Sequence, residues 1–193
     1  MNHLIIYAHP NPNSFNKAIA DTIENVSNSK GIATKFIDLY GEDFHPVLKG
    51  SDFETFQTGS VPPDIKREQN KIKWADMITF VYPIWWSGMP AILKGYIDRV
   101  FSYGFAYEYT DNGSIGLLKG KKVMIFNTTG TPSEIYSKNG MHASMKHITD
   151  IGILGFCEIE VVNHTFFGAV PIVDDKTRKG YLKEVENIVS KNL

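Results

Sequence analysis

Apolar, β-rich runs alternate along this chain with segments of helical periodicity, and that alternation constrains the fold more than any other feature. Strands are predicted at His3–Ala8, Ala33–Leu39, Ala75–Tyr82, Lys122–Asn127 and Glu158–His164. The first, third and fourth are nearly continuous apolar runs, as expected of strands covered on both faces. Between them, Ser14 is placed to cap a helix that reaches about Lys30 and stops at Gly31. Asp64–Trp74 carries the spacing of a surface helix. Pro90 opens a helix over Ala91–Phe101, where its missing N–H costs nothing. Helices over His142–Leu154 and Lys176–Ser190 complete the set. The predicted fold is a single α/β domain over residues 1–193, a doubly wound five-stranded parallel sheet of order 2-1-3-4-5 with helices on both faces. Two connections, Tyr40–Pro63 and Ser102–Gly120, are too long for simple turns, and long connections in compact domains are often functional.

Composition narrows the function. The formal net charge of −1 leaves no basic excess for binding a nucleic-acid polymer. One cysteine, Cys157, excludes an internal disulfide and is read as a core residue. The first residues lack a basic start and a long apolar run, and no segment approaches the roughly 18 apolar residues of a membrane span. A cytoplasmic protein without membrane insertion, leader or anchor is expected.

In an open parallel sheet, ligands bind beyond the carboxyl ends of the strands, where the strand order reverses. For order 2-1-3 that places a site around three segments. The first, His9–Asn16, has neither the G-x-G-x-x-G of a dinucleotide fold nor the Gly-Lys of a P-loop. It does set a histidine, a hydroxyl and an amide at a helix N-terminus, which suits a phosphate. Ordinary N-capping by Ser14 is the alternative. The second segment contains Pro83-Ile84-Trp85-Trp86-Ser87-Gly88, whose adjacent tryptophans suit a wall for a planar ring. The alternative is one tryptophan in the core and one over a helix end. The third, Asn127-Thr128-Thr129-Gly130-Thr131, offers backbone and hydroxyl donors, or is simply a turn.

Downstream stand Tyr136 and His142, a phenol and an imidazole, each able to share a proton. No Cys/His cluster has zinc spacing, and no G-x-S-x-G elbow of a hydrolase is present.

Read as an ordered set, these motifs resemble the NAD(P)H:quinone oxidoreductase family of flavodoxin-like flavoproteins. The resemblance covers nearly the whole chain. It is carried by Ala8-His9-Pro10 with Ser14-Phe15-Asn16, by Pro83 through Gly95, by Arg99-Val100-Phe101 with Phe105 through Tyr109, and by Thr128-Thr129-Gly130 with Tyr136, Gly140 and His142.

The resemblance implies a flavin whose ring lies against Pro83, Ile84, Trp85, Trp86 and Ser87 and against Thr128, Thr129 and Gly130. It implies a phosphate held by His9, Ser14, Phe15 and Asn16. Tyr136 and His142 would stand beside the ring as the catalytic pair, with NAD(P)H as hydride donor and a quinone or similar acceptor taking two electrons. A homodimer is implied, with Tyr107 and Tyr109 reaching the partner's site; Trp86, Gly130 and His142 would also face substrate. Gln57 and Arg178 match positions that contact the adenine half of FAD, so FAD is expected, with FMN as the alternative. The chain departs from the family at Thr131, where many members carry a second glycine, and at its end, where the extra region of the mammalian enzymes is expected to be missing. Other roles compatible with the resemblance are a regulatory subunit of a membrane transporter and a flavodoxin-like electron carrier.

Overall fold

The computed structural model describes residues 1–193 apart from the side chain of Gln57, so the contact expected of Gln57 lies outside the described residues. Five parallel strands form the central sheet: β1 (Asn2–Tyr7), β2 (Ala33–Asp38), β3 (Met77–Pro83), β6 (Lys122–Thr128) and β7 (Glu160–Phe167). Their spatial order is β2-β1-β3-β6-β7, the predicted 2-1-3-4-5.

Alternation along β1 divides the core in two. Leu4, Ile6 and Ala8 face one layer with Ile78, Phe80, Leu93 and Tyr96, while Ile5 and Tyr7 face the other with Ile19, Ile23, Val185 and Val189. The second layer is closed by α1 (Phe15–Ser29) and α7 (Asp175–Asn192), the first by α3 (Pro63–Trp74) and α4 (Ala91–Val100). Each fully buried Leu or Ile contributes about 1.5–3 kcal/mol against exposure, so these layers supply most of the driving force.

Local signals explain the helix ends. The Ser14 side chain accepts from the Lys17 N–H at 3.2 Å, and Gly31 follows the last turn of α1 at φ 68°. The connection from residue 40 to 63 contains α2 (Gly50–Gln57), and that from 102 to 120 contains an antiparallel hairpin, β4 (Tyr107–Thr110) with β5 (Gly113–Gly116). The first connection is fixed by Arg99 of α4. Its guanidinium grips Asp52 through Nε and Nη2 at 3.0 and 3.1 Å, and through Nη1 reaches Asp64 at 3.0 Å and the His45 carbonyl at 2.9 Å. At Gly95 the same connection meets helix backbone directly, since a Cβ there would lie 2.1 Å from the Pro46 carbonyl oxygen.

Two predicted elements are redrawn. The last strand begins at Glu160 and runs to Phe167, because Glu158 adopts φ 59° and closes the preceding turn. The predicted helix over His142–Leu154 is two structures. After α5 (Ser133–Lys138) and a left-handed turn at Gly140, α6 spans Met141–Lys146; the chain then widens into a π-helix over His147–Leu154. A bulge in β7 accompanies this. Val123 pairs with Val161 but Met124 pairs with Asn163, so Val162 is the extra residue. Among the described residues no helix is long and apolar enough to cross a membrane.

Candidate functional site at the carboxyl end of the sheet

The three segments named from the sequence converge where β1, β3 and β6 end. Tyr7, the last residue of β1, bonds the Ser14 hydroxyl at 3.0 Å and donates to the Asn11 carbonyl at 3.1 Å, which folds the first loop back onto the sheet. Asn16, buried in the first turn of α1, donates from Nδ2 to Thr128 Oγ1 at 2.8 Å. The Ile84 N–H donates to the Thr128 carbonyl at 2.8 Å. Thr128 therefore ties the first and second segments to the third. His9 and Trp85 lie with ring centroids 5.8 Å apart.

The first loop is prepared for an anion. Ser14 takes the N–H of Lys17 on its side chain and that of Ala18 on its carbonyl. The N–H groups of Phe15 and Asn16 have no acceptor among the described residues. His9 Nδ1 accepts from the Asn11 N–H at 3.0 Å, so its proton sits on Nε2 as a donor. Burial lowers the His9 pKa, although the Asn11 contact offsets part of that, and the ring is neutral at neutral pH.

The second loop is strained. Trp85 and Gly88 exchange backbone hydrogen bonds at 3.0 Å in both directions, closing a two-residue turn with Trp86 at φ 50° and Ser87 at φ 60°. Neither residue is glycine, and the left-handed conformation costs about 1–2 kcal/mol at each. Strain of this kind concentrates at functional sites. Its effect here is to project Trp86 outward with its side chain fully exposed (103%).

In the third loop the Thr129 N–H bonds the Phe167 carbonyl at 2.9 Å and its hydroxyl donates to the Thr131 carbonyl at 2.6 Å. Gly130 is exposed, and a Cβ built on it would meet nothing. The predicted pair is brought together: the rings of Tyr136 and His142 meet edge to face at 5.8 Å. His142 also stacks on Phe166, with centroids 4.3 Å apart and planes 13° from parallel. Its Nε2 is buried without a hydrogen-bond partner among the described residues, as is Asn16 Oδ1. Burial, then the charges of Lys146 and His164, lower the His142 pKa.

Tyr107 and Tyr109 lie on the hairpin strand β4. Tyr107 packs against Phe156 at 5.1 Å and against Tyr109 at 5.7 Å, and Tyr109 is exposed on the hairpin. Arg178 opens α7, bonding Asp175 at 2.9 Å and the Val170 carbonyl at 3.1 Å; one turn on, Tyr181 lies beside Phe15. The sequence names Asn127 only as the start of the third segment and assigns no site role to Asp150, His164 or Phe166. Asn127 and His164 are polar residues at the ends of apolar strands, and that was the signal available. Among the described residues no cluster of His, Cys, Asp or Glu could hold a metal ion.

Comparison with known proteins identifies the family of this fold. Residues 1–189 match the family described as having a flavodoxin-like fold. An uncharacterized NAD(P)H oxidoreductase of Haemophilus influenzae is 45% identical, over 95% of this chain and 91% of that protein. NAD(P)H dehydrogenase (quinone) 1 of Rattus norvegicus is 32% identical, over 96% of this chain and 76% of its own length. Among solved structures, an NAD(P)H:quinone oxidoreductase from Methanothermobacter marburgensis superposes with a TM-score of 0.89 at 26% identity, covering 100% of this chain and 96% of that one. The chain belongs to the flavodoxin-like NAD(P)H:quinone oxidoreductase family.

Proposed function

We propose that this protein is a flavin-dependent NAD(P)H oxidoreductase that passes two electrons to a quinone or similar acceptor. The observation that carries the reading is the convergence of three loops beyond the ends of β1, β3 and β6, with the rings of Tyr136 and His142 meeting in the segment that follows the third loop. The residues fit a flavin. Two first-turn N–H groups of α1 lack acceptors, Asn16 Oδ1 and His142 Nε2 lack partners, the Trp86 indole is exposed, and a Cβ on Gly130 would meet nothing.

A bound flavin accepts a hydride from a nicotinamide nucleotide and gives up the electron pair to the acceptor. The chain supplies the rest. His9 Nε2, the Ser14 hydroxyl and the N–H groups of Phe15 and Asn16 bind phosphate. Pro83 through Ser87 orient a planar ring on one side and Thr128 through Gly130 on another, with Trp86 excluding water. Tyr136 holds a donor proton on its hydroxyl. His142, neutral at neutral pH, offers or takes a proton at Nε2 where negative charge develops. A one-electron carrier would have no use for this couple.

FAD is the proposed flavin, on the placement of Arg178 at the start of α7 beside the first loop. A homodimer is proposed in which Tyr107 and Tyr109 face the partner's site, because the hairpin leaves Tyr109 exposed with its ring against Tyr103 and Tyr107. The cytoplasm is the proposed compartment. The test is direct: the purified protein is yellow, NADH or NADPH bleaches it without oxygen, and mass analysis of the released cofactor gives FAD. Colourless protein that takes up neither FAD nor FMN overturns the reading.

A further inference from the structure

Behind His142 lies a buried polar group that the proposed chemistry does not use. His164, on β7, has a side chain 2% exposed, and both of its ring nitrogens face oxygen. Nδ1 meets Asp150 Oδ1 at 2.6 Å and Nε2 meets Asn127 Oδ1 at 2.7 Å. The Asn127 amide is oriented by its own donation from Nδ2 to the Tyr82 carbonyl at 3.2 Å, so it is the oxygen that faces His164. A carboxylate and an amide oxygen are both acceptors, and two acceptors call for a proton on each ring nitrogen. The His164 ring is therefore held between a carboxylate and a fixed amide oxygen, a geometry that accommodates an N–H on both sides.

Two irregularities of the fold build it. Without the bulge at Val162, strand alternation would send His164 to the α1–α7 face; with it, His164 lies opposite Ile125 and shares a face with Asn127. Asp150 comes from the π-helix, a form that is rare and frequent at functional sites. Phe166, two residues along β7, stacks on His164 at 4.5 Å and on His142 at 4.3 Å.

We infer that His164, Asp150 and Asn127 form a positioning unit for the redox site, in which the His164 ring, locked from both sides and doubly protonated, fixes the Phe166 ring and through it the plane and surroundings of His142. The inference rests on the reading of His142 as the site's proton-handling group. The groups facing His142 are Lys146 on its own helix, Tyr136 and Glu134 from α5, and His164 from β7. Lys146 and His164 both disfavour a charge on it. Below His164, the Tyr82 phenol is pushed up to about 12 by burial and adds no charge of its own. Such a unit costs desolvation and is retained when the geometry it enforces is needed.

Imidazole NMR on isotope-labelled, flavin-free protein tests this without any turnover. The expected result is an N–H on both ring nitrogens of His164 at neutral pH, and loss of one of them in Asp150→Asn. In His164→Asn, which keeps a polar side chain, the His142 titration midpoint should rise by on the order of one unit. A neutral, single-tautomer His164 in the native protein overturns the inference, and so does an unmoved His142 midpoint in a folded His164→Asn variant. If His164→Asn does not fold, the native spectrum and Asp150→Asn decide. The underlying reading fails separately: if His142→Ala leaves anaerobic flavin reduction unchanged, His142 is not the proton-handling group, whatever the NMR shows.

Discussion

Arg99 and the ligand loops treat polar groups in opposite ways. Around Arg99 the donors are spent inside the protein, on Asp52, Asp64 and the His45 carbonyl. At the carboxyl end of the sheet, Asn16 Oδ1, His142 Nε2 and the first N–H groups of α1 are left unspent, and two residues sit in a left-handed turn. An unpaired buried polar atom costs about 1–3 kcal/mol, and two of the four such side-chain atoms among the described residues lie at this end, the other two being Glu68 Oε2 on α3 and the Tyr96 hydroxyl on α4. The first region holds the fold, and the second is the one proposed to hold partner molecules. The comparison predicts that damage to the first is read as stability and damage to the second as binding or rate.

The largest effect is expected at the clamp. Arg99→Met should remove about 3–5 kcal/mol of unfolding free energy, because Asp52 is left buried and unpaired. A urea titration of the flavin-free protein measures it, and a loss under about 1 kcal/mol would break the distinction drawn above. Next come the site residues. His142→Ala and Tyr136→Phe should each slow anaerobic flavin reduction by about 10- to 100-fold while the flavin is retained, as expected for general acid–base groups. Equal loss of flavin in both would make them binding residues instead. Gly130→Val should leave the melting temperature of the flavin-free protein unchanged, since a Cβ meets nothing in the chain, yet weaken flavin retention.

The clamp also has a pH signature. Burial raises the Asp52 carboxyl, but hydrogen bonds and charge from Arg99 outweigh it and hold the group below the usual carboxylate range. The stability this contributes is present above the unfolded carboxylate pKa and is lost as pH falls through the lower folded value. Acid unfolding of Asp52→Asn should therefore be less steep than that of the native protein. The smallest effect is expected at the strained turn, where Ser87→Gly removes the left-handed penalty at φ 60° but adds unfolded-state entropy, for a net gain of at most about 1 kcal/mol.

The same contrast explains what was legible in the sequence. The strand order, the Ser14 cap and the three loops follow from local patterns, since buried parallel strands and capping residues carry their signals within a few positions. The helix α2 does not. Its Gly50-Ser51-Asp52 start has weak intrinsic preference, and what holds it is Asp52 reaching Arg99, 47 residues away. The hairpin turn Asp111-Asn112-Gly113 was a readable signal in a segment taken as a loop. The π-helix and the bulge at Val162 depend on tertiary partners, so polar Asn127 and His164 could be noticed in their apolar strands, but no linear pattern joins them to each other or to Asp150.

That bulge has a consequence for how this chain can change in length. It inverts the parity of β7, so that residues before and after it obey opposite inside–outside rules. Deleting Val162 would remove the bulge and leave His164 opposite Ile125 and Phe166 opposite Asn127. Straightening the strand at its present length would instead bring Asn163 and Thr165 to the face that supports His142. The strand would stay paired and the site would lose its backing, so the phase of this strand counts for as much as the types of its residues.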